Sequence, residues 1–436
     1  MNNNNSVPNA GRILFLLFLA NFLNFFDRAL PAMLVEPIRH EWGLTDLHAG
    51  VVAAAFTLVY AIAGIPLGKL ADVSSRKKVI GYGLGVWSGF TALNAAAWNF
   101  WSFLGIRVGV GIGEASYAPA ANSLIGDLYP AKRRARAMGL FMLGLPLGTL
   151  AAFWSIGAMV EYFGNWRTPF IVAAVPGFLL AVVFFFIKEP TRGGQDLDIA
   201  QSGQAPKSWR ALLAIPTFRW IIASGISLNI AAYAGGTFLV PLLQRHYEQS
   251  LQSAGLLVGI ILGVTGLLSL STGGFIADAL QKRYTLGRML FGVVGMFVAG
   301  IATMAALGLG ASNVLLFTVL FSIGWFMLFN YYTSVYPAIQ DLVQPNQRAL
   351  AMALYFACMY ILGGAFGPLL LGGLSDYLAN QALLASGQEQ MSEAFIAQGL
   401  YGAMYIIPVA LLITAVCLTV GLRTYKQDRE RMKRGE

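Results

Sequence analysis

Four ionisable side chains lie within stretches of sequence that are otherwise apolar. Asp27 and Arg28 are adjacent, and Arg107 and Glu114 are seven residues apart. A charge within hydrocarbon costs from ~2.5 to more than ~10 kcal/mol, so such side chains usually face a partner or an aqueous pathway. A buried carboxyl without a fixed counter-charge has a raised pKa, and a movable arginine lowers that pKa again. Proton coupling requires this combination of groups.

Helical geometry predicts where the four side chains lie relative to one another. At a rise of ~1.5 Å per residue, Asp27 and Arg107 both lie ~9–12 Å inward from the outer ends of their helices, so they are level. Seven residues turn a helix by about 700°, which places Glu114 on nearly the same face as Arg107 but ~10 Å deeper, alone near the midplane. Asp27 and Arg28 point about 100° apart, so we expect them to serve different neighbours.

Two interpretations of this charge set follow. In the first, Asp27 and Glu114 are the protonatable groups of a proton-coupled transporter, and Arg28 and Arg107 are the cations that compete for them. In the second, the charges form a static ion pair that clamps the first helix to the fourth. Both interpretations require a bundle of membrane helices around the four residues.

The composition is that of an integral membrane protein. Of the 436 residues, 57% are hydrophobic and 11% are charged, whereas soluble domains have roughly 25% charged residues. Twelve apolar runs of about 20 residues are each long enough to cross a ~30 Å hydrocarbon core as a helix. The predicted fold class is therefore an all-α integral membrane protein with twelve transmembrane helices.

The basic residues predict the orientation of these helices. With both termini in the cytoplasm, 24 of the 29 Lys and Arg fall on cytoplasmic segments or their borders, as the positive-inside rule requires. The net charge of +9 therefore reflects topology, and we expect no nucleic-acid partner. No catalytic constellation, metal-ligand spacing or cofactor motif is present, so the sequence does not predict an enzyme.

An internal repeat predicts two pseudo-symmetric six-helix bundles. The run from Gly68 to Asp72 recurs 206 positions later, ending at Asp278, and the run from Asp127 to Arg134 recurs 214 positions later. Parallel repeats of this kind build the two halves of transporters that rock about a midplane site. The predicted divisions are a disordered cytoplasmic N-terminus (1–11), a first bundle (12–190), a cytoplasmic linker (191–215), a second bundle (216–422) and a basic cytoplasmic tail (423–436).

The repeated acidic and basic residues lie where helices meet the cytoplasm. A carboxylate at a helix end can accept bonds from the free N–H groups of a neighbouring helix or from a guanidinium. Such contacts would latch one face shut, although the basic residues could instead serve only as topology anchors. The predicted cytoplasmic gate consists of Asp72, Arg76, Asp127, Arg134, Asp278, Asp341 and Arg348.

The second half has no intramembrane acid or base, but its first and fourth helices carry aromatic, hydroxyl and amide side chains. An apolar wall with hydrogen-bonding tips suits the tail of an amphiphile, whose charged headgroup would meet the arginines of the first half. Ordinary helix packing is the alternative. The predicted substrate contacts are Arg28, Arg107, Glu114, Tyr117, Asn229, Tyr233, Phe326, Asn330 and Tyr331.

The organisation of the chain resembles the major facilitator superfamily. Twelve helices in two halves fit that fold, and Gly68, Asp72, Arg76 and Lys77 match the loop signature that follows its second helix. Residues 73 and 75, which are valine and serine here, depart from the usual basic residue and glycine of that signature.

Within that superfamily, three runs resemble the Spinster (Spns) branch: Asn24-Phe-Phe-Asp27-Arg28, the stretch from Arg107 through Glu114-Ala-Ser-Tyr117, and Ile125-Gly-Asp127-Leu. The resemblance implies a bacterial homologue in the cell inner membrane, acting as a monomer and driven by a proton gradient without a cofactor. It implies alternating access that moves sphingosine-1-phosphate or a lysophospholipid, with the two carboxyls as coupling residues and the two arginines as their partners.

Two other functions are compatible with the sequence. A drug or organic-anion exporter would use the same fold and the same charged residues. A non-transporting membrane receptor or scaffold would not need two carboxyls and two arginines at matching depth.

Overall fold

The computed structural model describes residues 9–192, 209–284, 286–344 and 347–434, and helices make up nearly all of the described chain. The predicted disordered segment 1–11 and linker 191–215 lie largely outside these ranges. The twelve long helices are helix 1 (Ala10–Met33), helix 2 (Asp46–Val73), helix 3 (Arg76–Leu93), helix 4 (Phe100–Ala115 and Tyr117–Leu128), helix 5 (Ala131–Met142 and Gly144–Phe163), helix 6 (Thr168–Phe186), helix 7 (Pro216–Arg245), helix 8 (Leu251–Arg283), helix 9 (Gly287–Gly308), helix 10 (Val314–Asp341), helix 11 (Arg348–Ser386) and helix 12 (Glu393–Ala403 and Ile406–Arg434).

Ten of these helices are long and apolar enough to cross a membrane. The other two, helices 3 and 4, depart from an uninterrupted apolar span for identifiable reasons. Helix 3 carries Arg76, Lys77 and Lys78 in its first turn, and helix 4 is interrupted at Ser116. The twelve-helix, all-α fold class is confirmed.

Two polar segments are helical. A short helix, Val35–Trp42, follows helix 1 and ends at Gly43 in the left-handed conformation. The segment predicted as a basic tail, 423–436, is helical as far as Arg434, as an extension of helix 12. Charged residues at exposed helical positions are compatible with helix, so composition alone did not locate these ends.

Helix 4 bends next to its buried charges. The backbone N–H of Ser116 bonds to the Gly113 carbonyl at 3.3 Å, and the Ser116 hydroxyl donates to the same oxygen at 2.8 Å. The hydroxyl lies against helix 3, where a Cβ on Gly83 would come within 2.0 Å of it. Only glycine at position 83 leaves room for this bend, which separates Glu114 from Tyr117.

The chain forms two compact units. The first comprises Met1–Leu44 and Ala55–Gln201, and the second comprises Thr45–Ala54 and Ser202–Glu436. The first two and a half turns of helix 2, which the sequence assigned to the first bundle, therefore belong with the second unit.

A polar clasp within the second unit accounts for that assignment. Both carboxylate oxygens of Asp46 accept bonds from Arg245, at 2.8 and 2.7 Å, and one also accepts the hydroxyl of Ser375 at 2.6 Å. The carboxylate of Asp376 accepts the backbone N–H groups of Asp46 and Leu47, each at 3.0 Å. Helix 2 is thus capped by a side chain of helix 11, which satisfies two of its free N–H groups.

Glycine allows the clasp to close, and substitutions of glycine test it. A Cβ on Gly50 would lie 2.5 Å from the carbonyl oxygen of Pro368, whereas a Cβ on Gly64, in the same helix, would have no atom within 4 Å. Alanine favours a helix interior by about 1 kcal/mol over glycine. We expect Gly64→Ala to maintain or raise the thermal unfolding midpoint of the purified protein and Gly50→Ala to lower it. Equal midpoints would show that the contact is not tight.

A second polar contact, within the first unit, holds the short helix Val35–Trp42. The carboxylate of Glu41 accepts bonds from Arg167 at 2.8 and 2.6 Å and from the indole N–H of Trp166 at 2.6 Å. The bond from Arg167 is the main reason that the pKa of Glu41 is lowered to about 2.

This lowered pKa predicts an acid-dependent loss of stability. The ordinary carboxyl pKa is 4.5, so the stability that Glu41 contributes is complete above that pH and is lost as the pH falls toward 2. We expect the difference in unfolding midpoint between wild type and Glu41→Gln to be constant near neutral pH and to shrink in this acidic window. A difference that instead disappears between pH 6 and 8 would contradict the assignment.

Candidate functional site

The four intramembrane charges meet in one buried cluster of the first unit. Asp27, Arg107 and Glu114 are 1%, 2% and 0% exposed, and the side chain of Arg28 is 20% exposed. Helix 1 supplies Asp27 and Arg28, and the first segment of helix 4 supplies Arg107 and Glu114. The sequence predicted this set of residues, and the structure brings all four together.

A close ion pair links the two helices. Arg28 donates from Nε to Oε2 of Glu114 at 2.7 Å. The expectation that Glu114 lies alone was wrong. It was based on Cα depths, whereas an arginine side chain is long enough to carry its charge past the next turn of its own helix.

Asp27 has a different environment. One carboxyl oxygen accepts the Thr91 hydroxyl at 3.3 Å, and the other, Oδ1, has no hydrogen-bond partner within the described ranges. The prediction that Asp27 and Arg28 serve different neighbours is confirmed. Of the two buried carboxyls, Asp27 is the one that accepts no bond from a guanidinium.

Arg107 is a buried cation for which the described residues provide no hydrogen-bond acceptor at two of its nitrogen atoms. Its Nε and Nη1 atoms lack partners among the residues that the structure describes, as do Nδ2 of Asn24, Nε1 of Trp87 and Oε1 of Glu114. A buried polar group left unsatisfied costs ~1–3 kcal/mol, and more when it is charged. This concentration of unsatisfied polar atoms is unusual, because buried polar groups of folded proteins are normally hydrogen-bonded.

Aromatic rings surround the arginines. The guanidinium carbon of Arg28 lies 4.3 Å from the ring centroid of Tyr60, 5.1 Å from that of Phe25 and 5.4 Å from that of Phe56. That of Arg107 lies 5.0 Å from the Phe56 centroid. Sequence reasoning missed the two residues from helix 2, although their spacing of four residues beside apolar neighbours was visible.

Four of the predicted substrate contacts lie inside the helix packing. Tyr117 donates its hydroxyl to the carbonyl of Leu17 and packs against Trp87. The other three, Asn229, Asn330 and Tyr331, belong to the second unit, and all four residues are at most 2% exposed. Asn229 donates to the Met359 carbonyl and Asn330 to the Phe326 carbonyl, each at 2.9 Å. The hydroxyl of Tyr331 lies 2.7 Å from that of Ser224. These positions match the packing alternative more closely than direct contact.

Tyr233 and Phe326 are half-buried, and Tyr233 belongs to an aromatic cluster that the sequence did not reveal. Ring centroids 5.3 to 6.2 Å apart connect side chains of helices 7, 10 and 11. The members of this cluster are Tyr233, Tyr332, Tyr336, Phe356 and Tyr360. Each remains partly exposed, as a surface that contacts a ligand must be.

Two of the predicted gate residues of the first unit pair with each other. Arg76 is buried and bonds to Asp127, and it also donates from Nε to Glu189 at 2.9 Å. Asp72 is exposed, and within the described ranges it forms no ion pair. Arg134 donates to the Gly126 carbonyl at 2.8 Å. Glu189 was not predicted because it follows helix 6, far from the repeated motif.

The corresponding residues of the second unit make different contacts. Asp278 pairs with Arg288 at 2.6 Å on the surface. Asp341 accepts the hydroxyl of Tyr425 at 3.0 Å, and Arg348 donates to the Gln340 carbonyl at 3.3 Å. The repeat in sequence therefore does not produce the same ion pair in both units.

Comparisons with known proteins identify a family, relatives and a solved structure that this chain resembles. The family described as the Major Facilitator Superfamily matches residues 17–368. An MFS-type efflux pump of Mycolicibacterium smegmatis is 29% identical over 94% of this chain and 92% of its own. The mouse sphingosine-1-phosphate transporter SPNS2 is 25% identical over 91% of this chain and 76% of its own. The crystal structure of a bacterial homologue of the human lysosomal transporter Spinster has a TM-score of 0.86 and 25% identity, covering 97% of this chain and 99% of that one.

The buried ion pair predicts non-additive stability. Removing one partner of a buried pair costs about 3 kcal/mol because the other charge is left without compensation. We expect Arg28→Gln and Glu114→Gln each to lower the thermal unfolding midpoint strongly, and the double variant to lose much less than the sum of the two. Glu161, an exposed residue, gives the control cycle: Glu161→Gln should add independently to Arg28→Gln. Additivity in both cycles would contradict the pair.

Proposed function

The chain belongs to the major facilitator superfamily and is a membrane transporter of the Spinster type rather than an enzyme, and on that premise we propose proton-coupled transport of a phosphate-bearing lipid. The substrate class is sphingosine-1-phosphate or a lysophospholipid, moved by rocker-switch alternating access. One observation carries the proposal: two carboxyls and two guanidiniums share one largely buried cluster, but among the described residues only one of these carboxyls is hydrogen-bonded to a guanidinium.

The proton is assigned to Asp27 in this state. Arg28 and Glu114 compensate each other at 2.7 Å, so that pair is stable as two ions. Asp27 has a hydroxyl neighbour and an oxygen without a partner. An ionised carboxylate in that position would be buried without a hydrogen-bonded counter-charge, and a protonated one avoids this cost.

Arg107 is the proposed anchor for the substrate phosphate. Its Nε and Nη1 atoms, which have no partner among the described residues, can each donate a bond to a phosphate oxygen, and a guanidinium forms strong charge-assisted bonds of this kind. When Asp27 is ionised, its carboxylate competes for the same donors. Protonation of Asp27 and binding of the phosphate at Arg107 are thereby linked.

The amphiphilic character of the substrate is supported from two directions. The half-exposed aromatic cluster of helices 7, 10 and 11 offers apolar faces with hydroxyl tips, which suit a chain and its glycerol or amino-alcohol region. The relative named as a sphingosine-1-phosphate transporter resembles this chain over most of its length. Tyr233 and Phe326 are the predicted contacts that keep exposed surface.

The proposal includes a membrane setting and a gate. The distribution of 24 of 29 basic residues supports a multi-pass protein of the cell inner membrane with both termini in the cytoplasm. The bundles 12–190 and 216–422 act as the moving halves of a monomer driven by the proton gradient. The ion pairs Arg76–Asp127 and Asp278–Arg288 lie at the helix ends where the cytoplasmic gate is proposed.

Export of a drug or an organic anion is the second candidate. The observation in its favour is the similarity to the efflux pump of Mycolicibacterium smegmatis, which extends over 94% of this chain. A carboxylate on such a substrate could use the same donors of Arg107.

Transport in proteoliposomes tests the proposal. We expect labelled sphingosine-1-phosphate or lysophospholipid to accumulate when a pH gradient is imposed, and Asp27→Asn and Glu114→Gln to abolish the response to the gradient while the protein remains folded. Glu161→Gln, at an exposed position, should transport like wild type.

Two results would contradict the proposal. Unchanged coupling in both carboxyl variants would remove the assigned proton sites. Failure to move either lipid under any gradient, together with movement of an organic anion, would favour the exporter.

A further inference from the structure

One ring of helix 2 lies against both buried cations. The centroid of Phe56 is 5.4 Å from the guanidinium carbon of Arg28 and 5.0 Å from that of Arg107. The negative face of an aromatic ring attracts a cation within about 6 Å. Among the described residues, no other ring is in such contact with two cations.

The backbone places this ring at a defined depth. A Cβ on Gly111 would lie 3.3 Å from the Phe56 carbonyl oxygen and 3.4 Å from its ring, so helix 2 approaches helix 4 closely there. Gly111 is one turn after Arg107 and three residues before Glu114. Phe56 therefore enters at the level between the buried cation and the buried carboxylate.

Tyr60 completes the arrangement one turn further along helix 2. Its ring is stacked with that of Phe56, at a centroid distance of 6.2 Å and an angle of 19°, and its centroid is 4.3 Å from the guanidinium carbon of Arg28. Arg28 is thus held by rings on one side and by Glu114 at its Nε atom.

The attraction of a ring differs in kind from that of a carboxylate. It uses no N–H donor and has no narrow angular requirement, whereas the bond from Arg28 to Glu114 is directional. A guanidinium can therefore stay on the ring while its N–H groups change acceptor. The same ring lowers the cost of keeping Arg107 buried with two N–H groups unsatisfied.

We propose that Phe56 is a positioning residue for coupling: its ring holds the guanidiniums of Arg28 and Arg107 in place beside Glu114, so that their N–H groups can change acceptor without the cations leaving the cluster. This inference rests on the proposed function. The charged and titratable groups that share the cluster are Asp27 and Arg28 of helix 1, Tyr60 of helix 2, and Arg107 and Glu114 of helix 4; helix 3 contributes the polar side chains of Trp87 and Thr91.

Graded fluorination of the ring tests the proposal. Mono-, di- and trifluorophenylalanine at position 56 remove the negative charge of the ring face stepwise and change its size little. We expect the pH of half-maximal lipid uptake to shift progressively, by about 0.5 pH unit or more for the trifluoro ring. Phe56→Trp, which keeps a strong ring face, should retain coupling, and Phe56→Leu should lose it.

Phe90 provides the matched control. It is also half-buried, and it packs against helix 4 at Gly109, where an added Cβ would lie 2.6 Å from its ring. No cation lies over the Phe90 ring among the described contacts. Fluorination there should leave the pH profile unchanged. A profile insensitive to fluorination at position 56, with Phe56→Leu still impaired, would show that the ring acts only by packing and would overturn the proposal.

A second measurement separates this inference from the proposed function. Thermal unfolding of Phe56→Leu, Arg107→Gln and the double variant reports their coupling without any transport assay. We expect clearly non-additive shifts of the midpoint, whereas Phe90→Leu combined with Arg107→Gln should be additive. Additive shifts for Phe56 would overturn the positioning role. Non-additive shifts with pH-independent uptake in wild type would contradict the proposed function alone.

Discussion

Hydrocarbon does not solvate ions, so the charged side chains inside this protein must compensate one another or remain neutral. The contact between Arg28 and Glu114 at 2.7 Å compensates one cation and one anion. Asp27 and Arg107 are left in the same buried cluster without a direct bond from one to the other. These four groups could form two ion pairs, but in the described structure they form one. The proposed mechanism is therefore centred on this cluster.

Close helix packing gives the cluster its geometry. A Cβ on Gly113 would lie 2.7 Å from the backbone nitrogen of Trp87, and one on Gly148 would lie 2.2 Å from the carbonyl oxygen of Phe22. Small residues allow membrane helices to approach in this way, because lipid provides no hydrophobic force to bring them together. Helices 3 and 5 are thereby held against helices 4 and 1, the two helices that carry the charged residues. In the proposed mechanism this packing is kept and the charged groups exchange hydrogen-bond partners.

The sequence predicted the helices and the charged residues more successfully than the contacts between them. Residue type and spacing were sufficient for the twelve spans and for the different neighbours of Asp27 and Arg28. They did not predict the contact between Arg28 and Glu114, because that contact depends on the length of the arginine side chain rather than on its position along the helix. Tyr117 is of a residue type that often contacts ligands, but here its hydroxyl donates to the Leu17 carbonyl. Phe56 joins its site from helix 2 and Glu189 joins its site from the segment after helix 6, and a single sequence does not reveal contacts between residues so far apart in the chain.

Infrared difference spectroscopy of the reconstituted protein tests the central claim most directly, because it observes the carboxyl groups themselves. Acidification should produce the C=O band of a protonated carboxylic acid that is absent in Asp27→Asn, and addition of the proposed substrate, sphingosine-1-phosphate or a lysophospholipid, should perturb the same band. The account predicts that Arg107→Gln changes the response of this band to substrate. A band that is unaffected by Asp27→Asn, or one that does not respond to substrate in the wild-type protein, would contradict it.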